Sequence, residues 1–185
     1  VMFTDFKGFT SLSETMTPTE LVDELGACFS QFDSIVEKYN IEKIKTIGDS
    51  YMCVGGLPVA NSTHSKDAVL AAIEIRDWME ARNGLARKNG KPFFEIRIGL
   101  DTGPVIAGVV GTKKFAYDTW GDTVNTASRM ESSGETGKVN ISGKTYDLIK
   151  DAFDCEYRGK IEAKNKGFID MYFVEQKKAH VVSSE

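Results

Sequence analysis

No apolar run in this 185-residue chain approaches the ~20 residues of a membrane helix, and no secretory leader is recognisable. Cysteine is scarce. Cys28, Cys53 and Cys155 are odd in number, far apart and without a Cys-x-x-Cys pair, which argues against a disulfide framework or a zinc site and fits a reducing, cytoplasmic setting. An excess of one charge is missing too. With 23 Lys and Arg against 27 Asp and Glu, a uniform nucleic-acid-binding surface is not expected, so any polyanion handled should be small. Repeats, low-complexity tracts and linkers are absent. The chain begins on Val1 without an initiator methionine, in mid-strand, so a longer parent protein with an upstream sensor or anchor is expected. What is present is 41% hydrophobic and 27% charged, enough for one core. The expectation is one domain over residues 1–176, its first strand truncated, with 177–185 as a frayed tail and no membrane contact of its own.

Val1, Met2 and Phe3 read as a strand ending at Asp5, after which Gly8 permits a tight turn. Thr17, Pro18 and Glu20 form an N-terminal capping signature, and Leu21, Leu25, Phe29, Phe32 and Val36 follow at helical spacing. "EKIKTIGDSYMCVGG" reads as a hairpin with its tip at Gly48-Asp49. A second long helix buries Ala68, Ala71, Ala72, Ile75 and Met79, and two strands flank Asp101-Thr102-Gly103-Pro104. The order strand, helix, strand, strand, helix, strand predicts an α+β fold: a ferredoxin-like split βαβ core whose helices cover one face of an antiparallel sheet. A helix over 122–132, a strand "VNIS", a helix "KTYDLIKD" and a closing hairpin would extend that sheet.

Two acidic residues stand out. Asp5 ends one strand and Asp49 tips a hairpin that could neighbour it, so two carboxylates would meet at one sheet end. At ~4 Å two such charges repel by about 4 kcal/mol at an effective dielectric of 20, so the pair calls for cations. Oxygen ligands without His or Cys select Mg²⁺ or Mn²⁺, and two such ions can clamp a phosphoryl transfer. Two unrelated turn aspartates capping their own backbone are the alternative. In "YDTWGDTVNTASRMES", Asp122 is read as a cap, and Asn125 and Arg129 stand four residues apart on one helix face. An amide beside a guanidinium suits the equatorial oxygens of a phosphate, although a solvated helix face has the same pattern.

"FTDFKGFTSLSE", "EKIKTIGDSYM", "GLDTGPVIAGVVG" and "YDTWGDTVNTASRMES", in that order, resemble the class III nucleotidyl cyclase catalytic domain, over nearly the whole chain from Val1 to about Val174. The resemblance implies that Asp5, Asp49 and the Phe6 carbonyl bind two Mg²⁺ or Mn²⁺ ions. It implies that backbone N–H groups of Lys7, Gly8, Phe9 and Thr10, with the Thr10 hydroxyl, hold the β- and γ-phosphates. Asn125 would orient the ribose, Arg129 would stabilise charge on the α-phosphate, and Lys164, with Lys166 close by, would reach the triphosphate. Lys45 and Asp118, with Thr119 beside it, occupy the substrate-binding positions for the base. Some relatives have an arginine where this chain has Pro104, and Asp101 stands where His or Asn is frequent.

Lysine only donates and a carboxylate only accepts, which suits the N1 acceptor and N6 donor of adenine and opposes guanine. The expected activity is adenylate cyclase, giving cyclic AMP and pyrophosphate for signal transduction. The family places the metals on one subunit and Lys45, Asp118, Asn125, Arg129 and Lys164 on the other, which implies a homodimer with two shared sites. Guanylate cyclase activity and a cyclase-like module that binds nucleotide without turnover are the alternatives. Asp101-Thr102-Gly103 also matches a dimeric aspartic protease, but two long helices before it do not suit that all-β fold.

Overall fold

The structure, a computed structural model, describes residues 1–113, 115–163 and 167–179. A seven-stranded sheet runs in the order β2-β3-β1-β4-β7-β9-β8. Its strands are β1 (Met2–Lys7), β2 (Ile41–Ile47), β3 (Ser50–Gly55), β4 (Glu95–Leu100), β7 (Val139–Ser142), β8 (Phe153–Ala163) and β9 (Gly167–Lys177). The first four pair antiparallel with one another and enclose the split βαβ arrangement. β7 joins β4 in parallel, so the extension carries one parallel pairing that strand order alone did not disclose. β5 (Ile106–Val110) and β6 (Ala116–Trp120) form a separate two-stranded ribbon.

Helices α2 (Pro18–Lys38) and α3 (His64–Lys88) pack against one face of the sheet. α2 starts where the sequence indicates: the Glu20 carboxylate accepts the Thr17 N–H at 2.8 Å while the Thr17 hydroxyl accepts the Glu20 N–H. All five small and apolar residues expected on the buried side of α3 are buried. Alternation along the strands sends Met2, Phe6, Tyr51, Cys53, Ile96 and Ile98 into this core, where Phe6 stacks on Phe94 at 4.8 Å between ring centres. Cys28 and Cys53 lie here as free thiols that burial pushes up to about 12.

Contrary to a sheet covered on one face only, α4 (Asp122–Ser132) lies on the other face, against β1, β4 and β7. Phe3, Met52, Val54 and Ala127 fill that second core. A close backbone approach makes the packing possible. A Cβ on Gly99 of β4 would lie 1.9 Å from the Glu131 N and 2.4 Å from its Cα, so only glycine lets the helix seat there. Asn140 of β7, fully buried, donates to the Met130 carbonyl at 2.7 Å and ties down the end of α4. Two short helices complete the chain: α1 (Phe9–Ser13) and α5 (Gly143–Ile149). Among the described residues no helix is long and apolar enough to cross a membrane.

Candidate active site

Asp5 does not terminate its strand. β1 continues to Lys7, and Asp5 shares a face with Phe3, the face that α4 covers. Its direct partner across the ladder is Arg97 of β4, whose Nη2 donates to Asp5 Oδ2 at 2.9 Å. The β2–β3 hairpin brings Asp49 alongside. Gly48 takes φ +62° at the tip, and the Ser50 hydroxyl donates to the Thr4 carbonyl at 2.9 Å, anchoring the tip over β1. Burial first, and then the charge of Asp5, push the Asp49 carboxyl above its ordinary range. Two acids 44 positions apart in sequence thus lie near enough at one end of the sheet for the charge of one to act on the other.

Arg97 reaches a third carboxylate. Its Nε lies 2.9 Å from Glu131 Oε1 on α4, close as an ion pair but out of line for a hydrogen bond. Glu131 is only 6% exposed, and burial pushes its carboxyl up to about 7, with Arg97 opposing and Asp5 and Asp49 adding. Neither Arg97 nor Glu131 stands out in the sequence. Arg97 reads as the solvent side of an alternating strand and Glu131 as one more polar helix residue; only the seating at Gly99 buries them together.

Asp5 and Asp49 fit a hard divalent ion. Among the described residues no cluster of three or more His, Cys, Asp or Glu offers a cage, and Mg²⁺ is held by one or two carboxylates with substrate oxygens and water completing its shell. Lys7, the last residue of β1, and Gly8 after it are exposed, and Gly8, at φ +69°, turns the chain into α1. Nothing lies within 4 Å of a Cβ on Gly8, so the conformation, not crowding, calls for glycine. Phe9 anchors the turn against Phe94, leaving Thr10 exposed at its start.

A second group forms around Lys45, whose Nζ lies 2.5 Å from Asp118 Oδ2 on β6. A β-bulge aims it there. Lys43 pairs with Cys53 but Lys45 pairs with Met52, so the extra residue turns Lys45 onto the α4 face while Lys43 reaches Asp33 of α2 on the other. Burial works against the charge of Asp118, but the Lys45 hydrogen bond and the Thr119 N–H outweigh it and hold the carboxyl below its usual range. Thr119 is 2% exposed with its hydroxyl unpartnered. Gly121, not Asp122, caps α4, and Asp122 is its first helical residue.

Asn125 is exposed and Arg129 partly so, and both stand on the outer side of α4. At 100° per residue Arg129 lies about 200° around the helix from Glu131, so α4 turns Glu131 toward Asp5 and turns Asn125 and Arg129 away. The structure therefore brings Asp5, Phe6 and Asp49 together, and Lys45, Asp118 and Thr119 together, but does not direct Asn125 and Arg129 at the acids of the same chain. Lys164 and Lys166 lie outside the described residues, as does the tail from residue 180.

The family model for the adenylate and guanylate cyclase catalytic domain matches residues 1–176. An adenylate cyclase of Mycobacterium tuberculosis is 40% identical over 174 residues, covering 94% of this chain and 38% of that protein. The guanylate cyclase soluble subunit beta-2 of Rattus norvegicus is 40% identical over 177 residues, covering 95% of this chain and 26% of its own length. The chain thus spans well under half of these relatives. The crystal structure of the adenylyl cyclase CyaB from P. aeruginosa superposes with a TM-score of 0.89 at 33% identity, covering 96% of this chain and 93% of that one.

Proposed function

Because the chain belongs to the adenylate and guanylate cyclase catalytic domain family, we propose that it is an adenylate cyclase, a phosphorus–oxygen lyase that converts ATP to 3′,5′-cyclic AMP and pyrophosphate. The observation that carries the choice of nucleotide is the Lys45–Asp118 pair, joined at 2.5 Å from strands 73 positions apart. A donor beside an acceptor meets N1 and N6 of adenine, whereas guanine presents like against like, a mismatch that in a buried site costs factors of ~10⁴. Identity is 40% to both the mycobacterial adenylate cyclase and the rat guanylate cyclase and so does not separate ATP from GTP; the chemistry of residues 45 and 118 is what favours ATP.

In this reading Asp5 and Asp49, with the Phe6 carbonyl, hold two Mg²⁺ or Mn²⁺ ions. Bound, they would supply Lewis-acid charge to the 3′-hydroxyl and the triphosphate. The N–H groups of Lys7 to Thr10 and the Thr10 hydroxyl hold the β- and γ-phosphates, Asn125 fixes the ribose, and Arg129 balances charge growing on the α-phosphate. Lys164 is assigned to the triphosphate by resemblance alone. The 3′-oxygen bonds to the α-phosphorus, the bond to the bridging α–β oxygen breaks, pyrophosphate keeps the electron pair, and the hydroxyl proton passes to solvent.

Two copies are needed. The opposed faces of α4 support a site that takes its acids from one chain and Asn125 and Arg129 from the next, so a two-fold homodimer has two equivalent sites. The β5–β6 ribbon and its connecting turn supply apolar surface for such contact: Ile106, Val109, Val110, Phe115 and Trp120 are all exposed. Parallel assays with ATP and GTP, in Mg²⁺ and in Mn²⁺, test the proposal. ATP should turn over faster by about 10²-fold or more. A preference for GTP would overturn the nucleotide assignment, and no turnover of either would favour the binding module.

A further inference from the structure

Arg97 and Glu131 are charged and largely buried, and the proposed chemistry gives them nothing to do. Arg97 is 22% exposed at its side chain and Glu131 8%, and together they form a line from Asp5 Oδ2 through the guanidinium to α4. Such a trio is a poor way to stabilise a fold, because desolvation of buried ions cancels most of their attraction and apolar side chains of the same volume serve as well. Its value is orientation. The guanidinium is a rigid fork that can hold two carboxylates at once in fixed directions.

Resting on the reading of Asp5 and Asp49 as cation ligands, we propose that Arg97 and Glu131 are positioning residues of the metal site. Arg97 fixes the Asp5 carboxylate by one oxygen and leaves the other free for a cation, and Glu131 in its ionised form offsets the Arg97 charge that would otherwise repel that cation. Three features argue for this arrangement. Arg97 is the register partner of Asp5, so its reach is set by the ladder and not by a mobile loop. Gly99, two residues on and on the same face, admits the α4 backbone at the point where Glu131 must meet Arg97. Glu131 converges on Arg97 and not on the acid pair, which separates it from the ligands. Groups behind metal ligands that orient them typically change affinity by 10- to 100-fold when replaced.

Binding of Mn²⁺ alone, followed by loss of the free-ion electron paramagnetic resonance signal, reads this directly without turnover. Glu131→Gln leaves the Arg97 charge unbalanced and should weaken Mn²⁺ by about tenfold or more. Arg97→Lys keeps a charge but cannot hold both carboxylates, so it should weaken binding to a similar degree. The paired change Arg97→Met with Glu131→Leu removes both ions together. It should melt close to the unsubstituted chain without metal yet bind Mn²⁺ as weakly as Arg97→Lys. Asp5→Asn separates the two levels of the argument. If Asp5→Asn binds Mn²⁺ as the unsubstituted chain does, the metal reading itself fails and this inference with it. If Asp5→Asn loses Mn²⁺ while folded Glu131→Gln and Arg97→Lys keep unsubstituted affinity, the metal reading stands and the inference is overturned. Lower melting temperatures with unchanged Mn²⁺ affinity would likewise reduce the pair to a structural role.

Discussion

Replacing Gly99 by alanine tests how α4 is seated with the smallest possible change. The added methyl would stand 1.9 Å from the Glu131 N and 2.4 Å from both the Glu131 Cα and the Met130 carbonyl carbon. These are backbone atoms of a helix whose Ala127 and Met130 are fully buried, so no flexible side chain can swing aside. To reach ordinary contact the helix must move by well over 1 Å, and the Asn140 bond to Met130 must stretch with it. Overpacking usually costs about 1–3 kcal/mol, and a clash with backbone belongs at the upper end. For a chain of 185 residues, about 3 kcal/mol corresponds to a drop of roughly 6–12 °C in melting temperature. Differential scanning fluorimetry or circular dichroism measures it. Gly26→Ala is the control: it lies exposed inside α2 with nothing within 4 Å of a Cβ, and should gain about 1 kcal/mol from helix propensity. A Gly99→Ala chain melting within about 2 °C of the unsubstituted one would refute the close approach and, with it, the seating of Glu131 beside Arg97.

Asp49→Asn should abolish metal-dependent turnover while the circular dichroism spectrum stays unchanged, since only one carboxylate of the pair is lost. Arg129→Ala should lower the rate by roughly 10²-fold or more with folding intact, as removal of one preorganised donor does. Mixing Asp5→Ala chains with Arg129→Ala chains should restore one working site per heterodimer, and silence in verified heterodimers would count against shared sites. Asp118, held below its ordinary range, adds stability that is complete above about pH 4 and is lost as pH falls through its folded-state value. Asp118→Asn should therefore flatten part of the acid limb of a melting-temperature profile, and an unchanged limb would show that the Lys45 pairing contributes nothing.

The order of the core elements was legible because local chemistry fixes it. Thr17, Pro18 and Glu20 announce α2, the spacing of Ala68 to Met79 fixes the face of α3, and Gly48-Asp49 marks the hairpin tip. What escaped depends on distant partners. Asp5 looked like a strand end because a charge interrupts an apolar run, yet its side chain faces the α4 side, where Arg97 pairs with it. The second face of the sheet was invisible because α4 reaches it only where Gly99 has no side chain. The five-residue α1 is too short to show a period. The bulge before Lys45 has no local signature either, and yet it decides which side of the sheet that lysine serves.

Lys45 and Asp118 already satisfy one another before any ligand arrives. On the role assigned to them, purine selection is thus an exchange and not an addition: an incoming base must take over both ends of an existing bond. A ring that complements only one partner strands the other beside it, so a half-match is penalised twice, and fidelity is set by the competitor already in place as much as by the guest.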